Sequence, residues 1–185
     1  MLRNQAEGNI SAQVDIYLRL TERLRRAGVA QAAVTSIAGH FCIDAFKQVS
    51  PVPVIDLLEV IRKEVARRGL KRVGLIGTRV VMESRFYGAL KGVEVVAPSQ
   101  DLLQVHEAYV AMASAGVATL AQRDVFLCAG ISLTREGGCE SVLLAGTDLA
   151  LVFGRGFEAG FNTLDCAEVH ATAIAKLAMS RGDGI

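Results

Sequence analysis

The sequence predicts an α/β fold in which parallel strands alternate with helices. Short apolar runs, of which residues 71–78 (KRVGLIGT) are the clearest, alternate along the chain with longer amphipathic segments. Such alternation is typical of parallel sheets whose strands are joined by crossover helices. A length of 185 residues corresponds to one domain or two small ones and is enough to bury a substantial core.

The predicted elements follow one another with short connections. Apolar residues recur at helical spacing in each amphipathic segment, and Ser11, Ser99 and Asp165 are the predicted N-caps of three helices. Gly28 and Gly69 are expected to end two of the helices. The predicted helices cover residues 11–29, 40–49, 57–69, 82–90, 99–116, 121–138 and 165–181. The predicted strands and extended segments cover residues 32–36, 51–57, 71–78 and 93–98, with a further strand inside 139–153.

Composition and charge exclude several classes of function. Hydrophobic residues make up 51% of the chain and charged residues 21%, as in ordinary globular proteins. The net charge is +1 and acids interleave with the basic clusters, so no nucleic-acid partner is expected. No apolar run approaches the ~20 residues that span a bilayer, and the N-terminal stretch is polar, so we expect a cytoplasmic protein with no membrane partner. The four cysteines show no CxxC pair and no metal-ligand spacing, so we expect free thiols and no metal.

Three glycine-containing turns are candidate binding elements. They are TSIAGH (35–40), IGTRVV (76–81) and AGTDLA (145–150), and each follows a predicted strand and carries serine or threonine. In open parallel sheets, ligands bind beyond the carboxyl ends of the strands. Exposed backbone N–H groups at such turns suit a carboxylate or a phosphate.

Four blocks of the sequence, taken in order, resemble the aspartate/glutamate racemase superfamily. Residues 23–57 resemble the block that carries aCNTaH and then an iPvi strand, and residues 71–98 resemble the block that opens the second half of those enzymes. SVLLAGTDLALVF (141–153) resembles the vilgCTEl block, and residues 163–178 resemble the closing helix. The resemblance implies two similar flavodoxin-like α/β halves with parallel sheets. It also implies racemisation of an amino acid such as aspartate or glutamate without a cofactor.

The same resemblance implies a two-thiol mechanism whose cysteines are missing here. In the family one thiolate removes the α-proton and a second thiol, from the other half, protonates the opposite face. Alignment on His40 puts Ser36 at the first cysteine position, and Gly146 falls at the second. Val81 replaces a threonine expected to bind the substrate carboxylate, whereas Thr78 is retained.

The matched blocks supply the candidate site residues. The candidate catalytic residues are Ser36, His40 and His170, of which the two histidines are the strong bases. The candidate substrate-binding residues are Thr35, Thr78, Gly146, Thr147 and Asp148.

A structural alternative stands beside each of these roles. A hydroxyl or carboxylate at a turn can cap the next helix, and a helical histidine can bond to the backbone. Cys42 is either a displaced thiol or, as we favour, a buried small apolar residue. The spacing of Cys166 and His170 is only weak support for a Cys–His pair.

The resemblance also sets the expected organisation and function. It assigns residues 1–69 and 161–185 to the first half and residues 70–160 to the second. The family begins with a strand and a GGmGP turn that have no counterpart here, so we expect a truncated first half. Either the chain starts downstream of the usual start, or an oligomer, which we expect to be a homodimer, covers the gap. The leading hypothesis is a cofactor-independent racemase or isomerase for a small amino or dicarboxylic acid. The alternatives are an inactive relative that binds a small carboxylate, or a one-base decarboxylase or hydrolase that uses the same cleft.

Overall fold

Two parallel sheets organise the chain in the computed structural model, which describes residues 2–99, 101–154 and 156–180. The smaller sheet pairs β1 (Ala32–Ala33) with β2 (Val54–Ile55). The larger sheet has the order β4-β3-β5-β6, and all of its pairs are parallel. Its strands are β3 (Arg72–Gly77), β4 (Glu94–Val96), β5 (Ser141–Ala145) and β6 (Thr163–Asp165). The predicted α/β fold with parallel sheets is therefore confirmed.

Helices connect and cover these strands. The α-helices are α1 (Leu2–Ala6), α2 (Ile10–Arg26), α3 (Ile43–Val49), α4 (Leu57–Arg67), α5 (Arg79–Glu83), α6 (Leu102–Ala115), α7 (Leu120–Arg135), α8 (Ala150–Phe153) and α9 (Cys166–Met179). Short 3-10 helices span Ile37–Cys42, Phe86–Gly88 and Thr147–Leu149. Among the described helices, none combines the length and the apolar content needed to cross a membrane.

The N-caps correct two of the sequence-based predictions. Asn9, rather than Ser11, caps α2, because its side chain accepts a hydrogen bond from the backbone N–H of Ala12. Asp101 occupies the N-cap position of α6, two residues after the predicted Ser99. Asp165 caps α9 as predicted, with its side chain accepting two backbone N–H groups of the first turn.

The helix predicted over 82–90 is interrupted by a left-handed segment. Arg85, Phe86 and Tyr87 have φ angles of 50°, 60° and 58°, so α5 ends just before them. Such angles cost roughly 1–2 kcal/mol per non-glycine residue. Burial offsets this cost, because Phe86 is fully buried.

The Tyr87 hydroxyl fixes the left-handed segment to other parts of the chain. It accepts a hydrogen bond from Gln5 Nε2 at 2.8 Å and lies 3.3 Å from the carbonyl oxygens of Ile37 and Ala38. Gln5 also donates to the Ala38 carbonyl at 2.7 Å. The turn after β1 is thereby held against both α1 and the segment after β3.

The core lies around the two central strands of the larger sheet. Every residue of β5 is buried, as are all residues of β3 after Arg72. Helix α9 packs on both α4 and β5 and so joins the helix that follows β2 to the larger sheet.

Strand β6 was not predicted, and it bears on the division into halves. Its residues lie in the segment 161–185 that the sequence assigns to the first half, yet β6 pairs with β5 in the larger sheet. The division into 1–69 with 161–185 and 70–160 stays a prediction.

Candidate ligand-binding site

A cavity of about 240 Å³ lies where the turn after β1 meets the ends of β3 and β5. Helix α6 closes one of its sides. The cavity is lined by Ser36, Ile37, Ala38, Thr78, Tyr109, Val110, Ala113, Ser114, Ala145, Gly146, Thr147 and Asp148. The three predicted turns therefore converge beyond the carboxyl ends of parallel strands, which is where α/β sheets bind ligands.

The structure brings five of the eight predicted site residues to this cavity. They are Ser36, Thr78, Gly146, Thr147 and Asp148. Thr35 is exposed and is not among the lining residues. The two candidate histidines also lie outside the lining.

Two of the hydroxyl groups are not used to cap helices. Ser36 and Thr78 occupy N-cap positions, but neither side chain makes a capping hydrogen bond. Thr78 Oγ1 is buried and has no hydrogen-bond partner among the described residues. A buried polar group left unpaired costs about 1–3 kcal/mol, so an oxygen of a bound ligand would relieve a real penalty here.

Tyr109 fills the space where a side chain at position 146 would lie. A Cβ atom built on Gly146 would come within 2.6 Å of the Tyr109 Cζ and hydroxyl oxygen, and closer still to Cε2. The glycine is therefore required while the ring is in place. The sequence resemblance places the second thiol position of the family at residue 146, and in this structure an aromatic ring from α6 takes that space.

A short hydrogen-bonded chain surrounds Asp148. The Tyr109 hydroxyl donates to Asp148 Oδ2 at 2.9 Å, and the Thr147 hydroxyl lies 3.3 Å from the same oxygen. Burial, and then the charge of Asp148, raise the pKa of Tyr109. The phenol is therefore protonated at neutral pH and acts as a hydrogen-bond donor.

His40 and His170 are buried and lie outside the lining of this cavity. Their ring centroids are 6.5 Å apart with the rings nearly perpendicular. His40 Nδ1 donates to the Ser36 carbonyl at 2.9 Å and His170 Nε2 donates to the Ile55 carbonyl at 3.1 Å, because a carbonyl can only accept. Burial lowers the pKa of both histidines, so both are neutral at pH 7.

These backbone hydrogen bonds are typical of histidines with a structural role. His40 orients the backbone of Ser36 and borders a separate cavity of about 690 Å³ beside α3 and α4. Its Nε2 is buried without a partner in the described part of the chain. Catalysis by the two rings stays a prediction that this placement does not favour.

The cysteines lie away from the 240 Å³ cavity. Cys42 is buried, with its thiol 3.6 Å from the Gly39 carbonyl, and burial raises its pKa to about 11. Burial also raises the pKa of Cys166, whose Sγ is 4.0 Å from the Leu164 carbonyl. Within the described ranges, no three His, Cys, Asp or Glu side chains are grouped as a metal ion would need.

Tyr109 is the main residue that the sequence did not reveal. It lies inside the amphipathic helix α6, among apolar positions, and carries no motif. The signal that could have identified it is the glycine at the second cysteine position, because a glycine there leaves room for a large neighbour. Only the folded chain shows which neighbour occupies that room.

Comparison with known proteins places this chain in a family. A sequence model of the Asp/Glu/hydantoin racemase family matches residues 1–174, and the chain belongs to that family. The resemblance found in the sequence is thus confirmed. No curated protein matches the chain.

Solved structures share the fold. A candidate Asp/Glu racemase from Yersinia pestis superposes with a TM-score of 0.78 at 22% identity, over 96% of this chain and 78% of that chain. An aspartate racemase homologue from Pyrococcus horikoshii gives 0.76 at 25% identity, over 90% and 74%. The aspartate racemase of Picrophilus torridus gives 0.71 at 19% identity, over 89% and 69%.

Proposed function

We propose that this chain binds a small amino or dicarboxylic acid in the 240 Å³ cavity and isomerises it there without a cofactor. The observation that carries the proposal is the buried, unpaired hydroxyl of Thr78, which lies in a cavity wall shared with Ser36, Gly146 and Thr147. Membership of the racemase family supports the same class of ligand and reaction. The likeness to the Pyrococcus horikoshii protein, which is an aspartate racemase homologue, supports it as well.

The proposed binding mode uses the hydroxyl groups. Thr78 and Ser36 donate hydrogen bonds to the ligand carboxylate, since neither hydroxyl is used in capping. His40 acts as a positioning residue, because its hydrogen bond to the Ser36 carbonyl fixes the backbone from which the serine hydroxyl projects.

Isomerisation at a carbon also needs proton-transfer groups. Asp148 is proposed as one of them, the base that accepts the α-proton, and the Tyr109 hydroxyl, which donates to Asp148 Oδ2 at 2.9 Å, orients its carboxylate. Ser36, at the position predicted for the first family cysteine, is the other group proposed: its hydroxyl returns a proton to the opposite face, and solvent then reprotonates Ser36 and takes the proton from Asp148. Ser36 comes from the turn after β1, whereas Tyr109 and Asp148 come from α6 and the turn after β5.

A second candidate function is binding of the carboxylate without proton exchange. The specific observation in its favour is that the Tyr109 ring fills the space of the second thiol, so that no cysteine among the described residues reaches the cavity.

Proton exchange in D₂O separates the two candidates. The full chain is incubated with each enantiomer of a panel of amino acids, and the α-proton is followed by NMR. Loss of the signal, with the opposite enantiomer formed, is the expected result. Ligand binding without exchange across the panel supports the second candidate and excludes the first for those ligands.

The binding site is tested with a matched pair of variants. Thr78→Val removes the unpaired hydroxyl at nearly constant volume and is expected to weaken ligand binding. Thr21→Val changes a second buried threonine, which lies on α2 and bonds to the Tyr17 carbonyl, and should leave binding unchanged. Equal effects of the two variants would show that the cavity is not the site.

A further inference from the structure

The charge of the residues that line the 240 Å³ cavity indicates which amino acids it binds, an inference that rests on the proposed function. Of the described lining residues, Asp148 is the one carboxylic acid, and none is lysine, arginine or histidine. The Tyr109 hydroxyl hydrogen-bonds to Asp148 Oδ2. The wall around Asp148 is therefore negative, with no fixed cation beside it in the described lining.

This arrangement attracts the ammonium group of an amino acid and repels a carboxylate placed beside Asp148. A ligand ammonium group beside Asp148 gains a charge-assisted hydrogen bond. A second carboxylate in the same confined space would meet a like charge, without the cation that normally offsets it. The ligand α-carboxylate is accommodated by the hydroxyl groups of Ser36 and Thr78, which are neutral donors.

The rest of the wall is apolar or small. Ile37, Ala38, Val110, Ala113 and Ala145 line the cavity together with the hydroxyl-bearing residues. Such a wall favours an uncharged side chain, because burying a charge against apolar groups without a partner is costly.

We propose that the cavity binds a zwitterionic amino acid with a small uncharged side chain in preference to aspartate or glutamate. The ligand ammonium group contacts Asp148, the ligand carboxylate contacts Thr78 and Ser36, and the side chain packs on the apolar wall.

The test is calorimetric titration of the full chain at pH 7.5 with alanine, serine, valine, aspartate and glutamate, each as both enantiomers. At least one neutral amino acid is expected to bind about tenfold or more tightly than either acidic one, since 1.4 kcal/mol corresponds to a factor of ten. Asp148→Asn keeps an acceptor for Tyr109 and removes the charge. It should lower the affinity for the neutral ligand about tenfold and should not lower the affinity for aspartate.

A matched control is Asp15→Asn, which removes an exposed carboxylate on α2 and should leave the preference unchanged. Thermal melting of each variant confirms that it is folded. Tighter binding of aspartate or glutamate by the unmodified chain would overturn this inference and leave the proposed function standing. Absence of binding by every amino acid would overturn the proposed function and this inference with it.

Discussion

The close approach of Tyr109 to Gly146 predicts strong coupling between the two positions. In Gly146→Ala, the new Cβ would lie 2.6 Å from the Tyr109 hydroxyl oxygen, whereas non-bonded carbon contacts are ordinarily about 3.5–4.0 Å. The backbone itself tolerates alanine, because φ is −162° and ψ is 129° at this position. The whole effect of the substitution therefore comes from the ring.

The loss of stability in Gly146→Ala has two sources, the overpacking of the Tyr109 ring and the disturbance of its hydrogen bond to Asp148. Overpacking of a buried site costs about 1–3 kcal/mol. Moving the ring by about an ångström to restore that separation also disturbs the hydrogen bond to Asp148, and bonds to charged groups contribute about 1.5–3 kcal/mol. We expect Gly146→Ala to lower the free energy of unfolding by about 2–4 kcal/mol. In a Tyr109→Ala background the same change should cost less than about 0.5 kcal/mol.

Urea unfolding of the four proteins of this double-mutant cycle measures the coupling. Tyr109→Phe is an internal check, since it keeps the clashing ring carbons and should not rescue alanine at 146. Gly130 on α7 provides a matched control, because a Cβ there would meet the ring of Phe161 instead. Gly130→Ala should be rescued by Phe161→Ala and not by Tyr109→Ala. Additivity of Gly146→Ala and Tyr109→Ala within about 0.5 kcal/mol would refute the steric argument.

Two further predictions concern titration and thiol reactivity. Burial lowers the folded-state pKa of His40 and His170, so below pH ~6.5 the unfolded chain binds more protons than the folded chain. The free energy of unfolding should therefore fall as the pH is lowered from 7 to 5, by up to about 1.4 kcal/mol per pH unit for each histidine. Urea titrations at pH 7, 6 and 5 measure this change in the free energy of unfolding, and His170→Gln should reduce its slope with pH. A free energy of unfolding that does not change with pH would contradict the prediction. Cys128 is exposed and the other three cysteines are buried, so a thiol reagent should modify one cysteine in the folded chain and four in urea. Rapid modification of a second cysteine in the folded chain would contradict the burial.

The larger sheet could be predicted because its signals are local. Strands β3 and β5 are short apolar runs that end in a glycine-containing turn, and the helix after each begins within a few residues. Strand β6 could not be predicted in the same way, because it has three residues and the last of them is the N-cap of α9. The left-handed segment at Arg85–Tyr87 carries no glycine at any of its three positions, so the sequence pattern indicates a helix through it.

The site was predictable only where residues follow strands. Thr78 and Thr147 follow β3 and β5 directly or after one glycine, and the fold brings the ends of those strands together. Sequence position does not determine the direction of a ring, however, and so His40 proves to bond to the Ser36 carbonyl beside the cavity. Tyr109 comes from a helix whose pattern shows only that it is amphipathic.

The pairing of Gly146 with Tyr109 has a consequence for substitutions at this site. A substitution that introduces a cysteine at 146 forces its side chain against the ring, and loss of the ring alone leaves a void in the wall. Each one-step route to a thiol at this position therefore passes through a less stable protein, although the two changes together are compatible. The glycine and the tyrosine are therefore interdependent, and a larger side chain at 146 becomes compatible with the fold only when the residue at 109 is made smaller.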